Sequence, residues 1–186
     1  MPPPPTPRRA CPRRCRRAVA LLVLVVAAAC TAPARPDVVA LPGGGGRGTA
    51  AAVDHVVDGD TLDLDFGGGR VERARLLGID TPETVKPDAP VECFGPEASA
   101  RTKDLLPPGT PVLVQRDAEA RDRYGRLLVY LWRRADGLFV NVALVAGGHA
   151  RTLSIAPNTA HRADLSAASA SAAASGAGLW GACPLE

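Results

Sequence analysis

The chain has 186 residues, enough for one folded domain with additional segments. It carries 22 basic and 19 acidic residues. Six of the arginines lie within residues 1–30, however, and without this segment the balance is 16 basic to 19 acidic residues. The composition therefore excludes a protein that binds polyanions through a broad basic surface. Any phosphate binding must depend on a few placed arginines, with or without a metal ion.

Residues 1–30 have the layout of a secretory signal peptide, because an arginine-rich stretch precedes an apolar run over residues 18–29 that is short for a membrane span. The ending "AAAC" resembles a bacterial lipoprotein signal, in which Cys30 becomes lipidated, although Ala27 replaces the usual leucine. Ordinary cleavage after Ala34 and an uncleaved membrane anchor are the alternatives. We expect an exported protein, either a cell-envelope lipoprotein attached to the membrane through Cys30 or a secreted protein.

Two cysteines, Cys93 and Cys183, follow the processing site. An even pair in an exported chain predicts one disulfide, which would tie the C-terminal tail to the body of the domain. Two separate free thiols are the alternative.

The first half of the chain predicts a tether followed by strands. Residues 31–49 are rich in glycine and proline and predict a flexible tether, so we expect the folded domain over residues 50–186. Two strands are predicted over "AAVDHVVD" and the alternating "TLDLDF". The glycines "GGG" predict a hairpin turn, after which "RVERARLLGI" is expected to form the third strand. A polar loop containing prolines is expected over residues 82–95.

The second half predicts three helices and two further strands. A helix that ends at two prolines is predicted over "GPEASARTKDLL". Two strands are predicted over "TPVLVQRD" and "RLLVYLWR", and "ADGLFV" predicts a turn followed by a short extended segment. "VNVALVAGG" predicts a helix closed by glycine, and residues 158–180 an alanine-rich helix, for which a low-complexity linker is the alternative. Periodicity alone supports an α+β fold. The order of elements predicts a five-stranded Greek-key β-barrel of the oligonucleotide-binding (OB-fold) kind with about three α-helices.

Three polar stretches carry the candidate chemistry: "VVDGDTL", "RLLGIDTPE" and "DRYGRLLVY". Each alone is consistent with a turn or a helix start. Together they place Asp60, Asp80 and Glu83 at strand ends, which can converge at the mouth of one barrel. Converging carboxylates repel one another without a cation, and hard oxygen donors are the ligands of calcium. The lone His55 is expected to be a solvated strand residue.

Two arginines complete this set. Arg126 follows a tight "YG" corner, and Arg75 precedes Asp80 by five residues. This odd separation points the two side chains to opposite faces of a regular strand, so a bulge or bend is needed to bring them together. Paired guanidiniums bind a phosphate, and Glu83 could activate water. These residue types predict metal-assisted hydrolysis of a phosphodiester.

In this order, "VVDGDTL", "RLLGIDTPE", "GPEAS" and "DRYGRLLVY" resemble the staphylococcal nuclease (thermonuclease) family. "VNVALVAGG", "APN" and "GLWGAC" are similar to its exported bacterial homologues. The resemblance covers residues 50–183. It implies an OB-fold barrel and a calcium-dependent endonuclease that hydrolyses single-stranded or locally melted DNA and RNA and leaves 3′-phosphate ends.

The resemblance also implies roles for individual residues at the metal, the phosphate and the substrate. The metal ligands would be Asp60, Asp80 and Thr81 with Asp58 behind them, the catalytic residues Arg75, Glu83 and Arg126, and the substrate-binding residues Tyr124 and Arg123. One departure concerns "ARTLSIAPN", which has no aromatic residue where the best-known member has tyrosines. Since stacking contributes roughly 1–3 kcal/mol per base, this departure implies either a lower substrate affinity or recognition of the base at another place.

Two other functions remain open from the sequence. The same fold could serve as a non-catalytic nucleic-acid- or protein-binding module of the cell envelope, or the motifs could be plain turns in a structural lipoprotein. The intact set of acids and arginines favours the enzyme, which we expect to be monomeric.

Overall fold

The computed structural model describes residues 1, 38–41, 47–84 and 90–184. The expectations about the signal peptide and lipidation at Cys30 lie outside these residues. Among the described helices, none is long and apolar enough to cross a membrane.

The described residues form nine strands and four helices. The strands are β1 (Val38–Ala40), β2 (Arg47–Asp58), β3 (Thr61–Asp65), β4 (Val71–Leu76), β5 (Gly78–Asp80), β6 (Pro111–Gln115), β7 (Leu127–Arg133), β8 (Leu138–Phe139) and β9 (Arg151–Leu153). The helices are α1 (Gly95–Leu105), α2 (Val140–Ala146), α3 (Arg162–Ser175) and α4 (Leu179–Ala182).

The main sheet is mixed, and its pairings return to the strand from which they start. β2 pairs with β3 and β3 with β4, both antiparallel, while β4 pairs with β7 in parallel. β7 then pairs with β6, and β6 pairs with β2. β1 extends this sheet at β2, and β8 extends it at β7. The α+β class expected from the sequence is therefore present.

The core lies between the strands and the helices that cover them. Leu62, Leu76 and Val129 from the sheet are at most 1% exposed, and Leu144 of α2 and Leu165 of α3 are at most 2% exposed. Burial of each such side chain stabilises the fold by roughly 1.5–3 kcal/mol. The strands and helices that deliver the polar motifs are thus held by one continuous apolar cluster.

The stretch predicted to be a tether contains strand structure. β1 and the first residues of β2 form an antiparallel pair, with Val39 opposite Gly48. Leu41 is only 4% exposed, and a Cβ at Gly48 would lie 2.8 Å from Leu41 Cδ2. This apolar side chain packs against glycine backbone, a contact that the glycine-rich composition does not reveal.

The C-terminal helix is shorter than predicted. α3 ends at Ser175 because Gly176 adopts a left-handed conformation with φ of 63° and closes the helix. The short α4 follows, and Trp180 on it is half-buried beneath the guanidinium of Arg151, 5.1 Å from the ring centre. β9, which the sequence pattern did not predict, pairs with β5.

A disulfide joins Cys93, which precedes α1, to Cys183 after α4, with an S–S distance of 2.07 Å. The two residues are 90 positions apart. The bond therefore ties the C-terminal segment to the loop that leads into α1.

We expect reduction of this disulfide to lower the free energy of unfolding by about 2–5 kcal/mol, since a long loop of the unfolded chain loses its constraint. Thermal denaturation with and without reductant measures the effect. The double variant Cys93→Ser/Cys183→Ser should melt at the temperature of the reduced protein and should not respond to reductant. Equal melting temperatures for the oxidised and reduced wild type would contradict this expectation.

Candidate active site

The turn that carries Asp58 and Asp60 joins β2 to β3, and contacts with other elements hold it in place. Thr102 of α1 donates a hydrogen bond from Oγ1 to the Gly59 carbonyl at 2.7 Å, and the N–H of Leu76 donates to the Asp60 carbonyl at 2.9 Å. Gly59 is required here, because a Cβ would lie 2.6 Å from the hydroxyl oxygen of Thr81. Asp58 and Asp60 are both buried as a result.

A bend separates β4 from β5 and changes the direction of the chain. Leu77 lies between the two strands, and its N–H donates to the Val129 carbonyl at 2.8 Å. Asn141 of α2 donates from its side-chain amide to the Leu77 carbonyl at 2.9 Å. Gly78 follows with φ of +74°, which glycine adopts without strain. β5 then leaves the main sheet and pairs with β9.

This bend brings Arg75 to both aspartates. The Arg75 guanidinium donates to Asp60 Oδ1 at 2.7 Å and to Asp80 Oδ1 at 2.6 Å. Its second amino group also lies 3.3 Å from the Ile79 carbonyl. The odd spacing of Arg75 and Asp80 required a bend, and this bend is present. One guanidinium therefore bridges two carboxylates from separate segments of the chain.

Asp60 has an unusual electrostatic environment. Burial raises the pKa of its carboxyl group, while Arg75 and the hydrogen bonds from the Thr81 N–H (3.1 Å) and the Thr61 hydroxyl (3.0 Å) act in the opposite direction. The nearby Asp80 adds to the upward shift. One guanidinium thus does not fully compensate the buried charge, and a further cation at this place would stabilise the ionised form.

Glu83 is held at the base of the loop that leads to α1. Its N–H donates to Glu92 Oε2 at 3.1 Å, and the Glu92 N–H donates back to the Glu83 carbonyl at 3.0 Å. Thr84 donates from its hydroxyl to Asp58 Oδ1 at 2.6 Å and from its N–H to Glu83 Oε1 at 3.0 Å. Thr84, Glu92 and Thr102 are not among the site residues predicted from the sequence. In the sequence, this loop shows one indication that it is held in place, namely Cys93, which directly follows Glu92.

Arg126 is oriented by the corner that precedes β7. It donates from Nε to Asp122 Oδ2 at 2.7 Å and from its N–H to Asp122 Oδ1 at 3.0 Å. Partial burial alone would raise the pKa of Asp122, but the hydrogen bonds from Arg126 and the Tyr124 N–H outweigh it and lower that pKa. Asp122 therefore stays ionised and positions the guanidinium. Tyr124 is 68% exposed, with Arg123 and Arg126 at 4.7 and 5.4 Å from its ring centre.

Two adjoining pockets contain all the metal-binding, catalytic and substrate-binding residues that were predicted from the sequence. The two disulfide cysteines and Cys30 do not belong to these groups. The acidic pocket, of about 390 Å³, is lined by five carboxylates and three guanidiniums of the described part of the chain. These are Asp58, Asp60, Asp80, Glu83 and Glu92 with Arg73, Arg75 and Arg126, and Thr81 also lines this pocket. The second, of about 720 Å³, is here called the apolar pocket and contains Arg123, Tyr124, Leu153 and Ile155. Arg75 and Arg126 line both.

A separate acidic group lies on β2 and β3. Ligand atoms of Asp54, His55 and Asp63 lie within 4.8 Å of one another. Both Asp63 oxygens, however, accept hydrogen bonds from Arg73 at 2.6 and 2.9 Å. This pairing lowers the pKa of Asp63, so its charge is already compensated.

The model of a family described as staphylococcal nuclease homologue matches residues 73–182, more than half of the chain. The chain belongs to the staphylococcal nuclease family. The match includes Arg75, Asp80, Glu83 and Arg126 and begins after the turn that carries Asp60. The family expected from the sequence motifs is confirmed.

Curated proteins with similar sequences include nucleases of this family. Thermonuclease of Staphylococcus intermedius is 45% identical over 116 residues, which are 62% of this chain and 67% of that protein. Thermonuclease of Staphylococcus hyicus is 42% identical over 106 residues, 57% of this chain and 60% of that protein. Endonuclease YncB of Bacillus subtilis (strain 168) is 39% identical over 108 residues, 58% of this chain and 50% of that protein. The chain thus spans between half and two thirds of the length of these relatives.

The bend of this staphylococcal nuclease homologue can be tested at Gly78. Gly78→Ala places a Cβ against Leu165 Cδ1 in addition to straining the positive φ, whereas Gly109 has φ of +84° and open space around it. We expect Gly78→Ala to cost about 1–3 kcal/mol more of the free energy of unfolding than Gly109→Ala, because only the first overpacks the core. Urea denaturation of both variants gives the difference. Equal losses would show that the bend tolerates a side chain.

Proposed function

We propose that this chain is a calcium-dependent endonuclease that hydrolyses DNA and RNA. One observation carries the proposal: Arg75 and Arg126 line both the acidic pocket and the apolar pocket. A phosphate bound by these two guanidiniums would have the carboxylates of the acidic pocket on one side. On its other side, the apolar pocket would leave room for a nucleoside. The names of the relatives, thermonuclease and endonuclease, support the same reaction class.

The acidic pocket suits a hard divalent cation. Among the described residues that line it, five carboxylates exceed three guanidiniums by two formal negative charges, and none is a histidine or a cysteine. Calcium prefers carboxylate, carbonyl and water oxygens. Asp60, Asp80 and the Thr81 carbonyl would hold the ion, with Asp58 behind them, and a bound calcium would supply charge neutralisation at the phosphate. Asp54, His55 and Asp63 are not proposed as this site, since Arg73 already pairs with Asp63.

The side chains divide the remaining chemistry among them. Glu83 would accept a proton from the water whose oxygen attacks phosphorus. Arg75 and Arg126 would bind the non-bridging oxygens and stabilise the charge that develops on them. The bond from phosphorus to the 5′-oxygen then breaks, and that oxygen takes up a proton, so the products carry a 3′-phosphate and a 5′-hydroxyl.

The apolar pocket would receive the nucleoside of a single-stranded or locally melted substrate. Tyr124 and Arg123 would contact it from one side, while Leu153 and Ile155 occupy the segment without aromatic residues. Aliphatic side chains stack less well than tyrosine, which implies lower affinity for each base. The closed order of pairing from β2 back to β2 supports an OB-fold barrel as the platform.

We also propose that the protein is exported and, if the lipoprotein signal is used, attached to the membrane at Cys30. The disulfide between Cys93 and Cys183 supports an oxidising destination.

The calcium requirement is tested by hydrolysis of single-stranded DNA with purified protein. We expect cleavage with calcium and a loss of at least about 100-fold with a chelator, because the acidic pocket would then lack its cation. Circular dichroism under both conditions serves as the control for folding. A folded protein that cleaves in neither condition would instead be a nucleic-acid- or protein-binding module, and full activity with the chelator would exclude the metal site.

The assigned roles of Glu83 and Arg126 are tested with conservative variants. Glu83→Gln retains an acceptor for the Thr84 N–H but not the base, and Arg126→Lys retains the charge but not the bidentate geometry. We expect each to lower kcat by about 100-fold or more with little change in melting temperature. The matched controls are Glu97→Gln and Arg134→Lys, both exposed and outside the two pockets. Wild-type kcat in either site variant would remove that role.

A further inference from the structure

A third cleft beside the apolar pocket contains three arginines that the proposed reaction does not use. It has a volume of about 190 Å³, and Arg70, Arg116 and Arg121 line it together with Glu72 and Phe66. We call it the arginine cleft. Its volume would hold about six water molecules at ~30 Å³ each, which is room for a phosphate group with part of its hydration.

The charges of the arginine cleft are only partly compensated. Glu72 accepts a hydrogen bond from Arg121, and its other oxygen lies 3.8 Å from Arg70 Nε. No hydrogen bond or ion pair of Arg116 occurs among the residues that the structure describes. Among the described residues that line the cleft, three guanidiniums and one carboxylate leave two formal positive charges, in a domain whose overall balance is acidic. Such a local excess favours an anion.

Two of the three guanidiniums are held in position before any ligand binds. Arg121 donates to the Gly125 carbonyl at 2.8 Å as well as to Glu72. The guanidinium of Arg70 lies over the ring of Phe66, 4.7 Å from its centre. Restrained guanidiniums lose less conformational entropy when they bind a phosphate, and their planar fork matches its oxygens.

The arginine cleft shares one lining residue with the apolar pocket. Arg121 lines both this cleft and the apolar pocket, which contains Arg75 and Arg126. Along the chain, Arg70 precedes Arg75 by five residues, at the other end of β4. At about 3.3 Å per residue the two Cα positions are roughly 17 Å apart along the strand, which is several nucleotides of an extended polynucleotide. Because the separation is odd, the two side chains leave opposite faces of the strand, so the bound polynucleotide would pass from one face to the other.

We propose that the arginine cleft binds a backbone phosphate of the substrate strand, several nucleotides away from the phosphate that is cleaved. The inference rests on the proposed nuclease function and extends it from one phosphodiester to a longer polynucleotide. The chain would then prefer long strands to dinucleotides. The attraction comes from a few placed arginines rather than from net charge.

The test compares strand lengths in the purified full-length protein. The variants are Arg70→Ala/Arg116→Ala and, as a second variant, Arg116→Ala alone, whose side chain has no described partner to lose. The charge-matched control is Arg101→Ala/Arg134→Ala, which removes two exposed arginines that line neither this cleft nor the two pockets. Substrates are a dinucleotide and a single-stranded DNA of about 10 nucleotides, within the ~4–16 nucleotides that one OB-fold covers.

Binding is measured by fluorescence anisotropy in chelator, and kcat/KM in calcium. For the double variant we expect the Kd of the longer strand to rise about five- to tenfold near ~0.1 M salt, and the slope of log K against log salt to flatten by about 1. The ratio of kcat/KM for the long strand to that for the dinucleotide should fall by a similar factor. Arg116→Ala should show a smaller change in the same direction, and the control neither change.

The other outcomes separate the two proposals. An unchanged ratio and Kd in the double variant, or equal losses for both substrate lengths, would overturn the arginine cleft while leaving the nuclease function in place. If the wild type cleaves nothing but the double variant still binds the long strand more weakly, the nuclease proposal fails and the cleft stands. Titration with inorganic phosphate distinguishes a site for free anions from a site for the backbone of a polynucleotide. If the double variant loses phosphate binding but binds the long strand as the wild type does, the proposed role in substrate binding is overturned.

Discussion

The geometry of the candidate site depends on the bend between β4 and β5. The Leu77 N–H and carbonyl are bound by Val129 of β7 and by the Asn141 side chain of α2, and Gly78 then turns the chain out of the main sheet. Without that turn, Arg75 and Asp80 would point to opposite faces of one strand. Asn141 is fully buried and also accepts a hydrogen bond from the Leu131 N–H, so a single amide links α2 to β7 and to the bend. Breaking this link would remove the partner of two buried backbone groups, the Leu131 N–H and the Leu77 carbonyl.

The bend has an electrostatic consequence. It places one guanidinium between a buried carboxylate, Asp60, and an exposed one, Asp80. Their attraction holds the strand ends together, yet burial still raises the pKa of Asp60. Among the described residues that line the acidic pocket, five carboxylates accompany three guanidiniums, which leaves an excess of formal negative charge where we propose that a cation binds. Crowded carboxylates repel one another, and a cation at the proposed place would relieve this repulsion.

Much of the site could be predicted from the chain, because its chemistry is carried by short motifs at strand ends. The acids of "DGDT" and "DTPE" and the arginines that follow β3 and precede β7 indicated an oxygen-lined site with phosphate-binding residues, and the structure gathers them around two adjoining pockets. The partners that hold these motifs could not be predicted. Thr102 binds Gly59 across 43 positions and Asn141 binds Leu77 across 64, and no local pattern encodes such distant pairs. The pairing of β5 with β9 and of β1 with β2 was missed for the same reason, since strands of three residues have almost no periodicity.

The sequence by itself determined which residue types are present at each strand end, the α+β class and the family, since periodicity and ordered motifs are local properties. Only the tertiary structure decided that Arg75 reaches both aspartates, that Glu92 holds Glu83, and that Arg70, Arg116 and Arg121 share a cleft. Contacts of this kind arise when distant segments pack on one core, where a single bend or a buried amide changes the direction of a side chain.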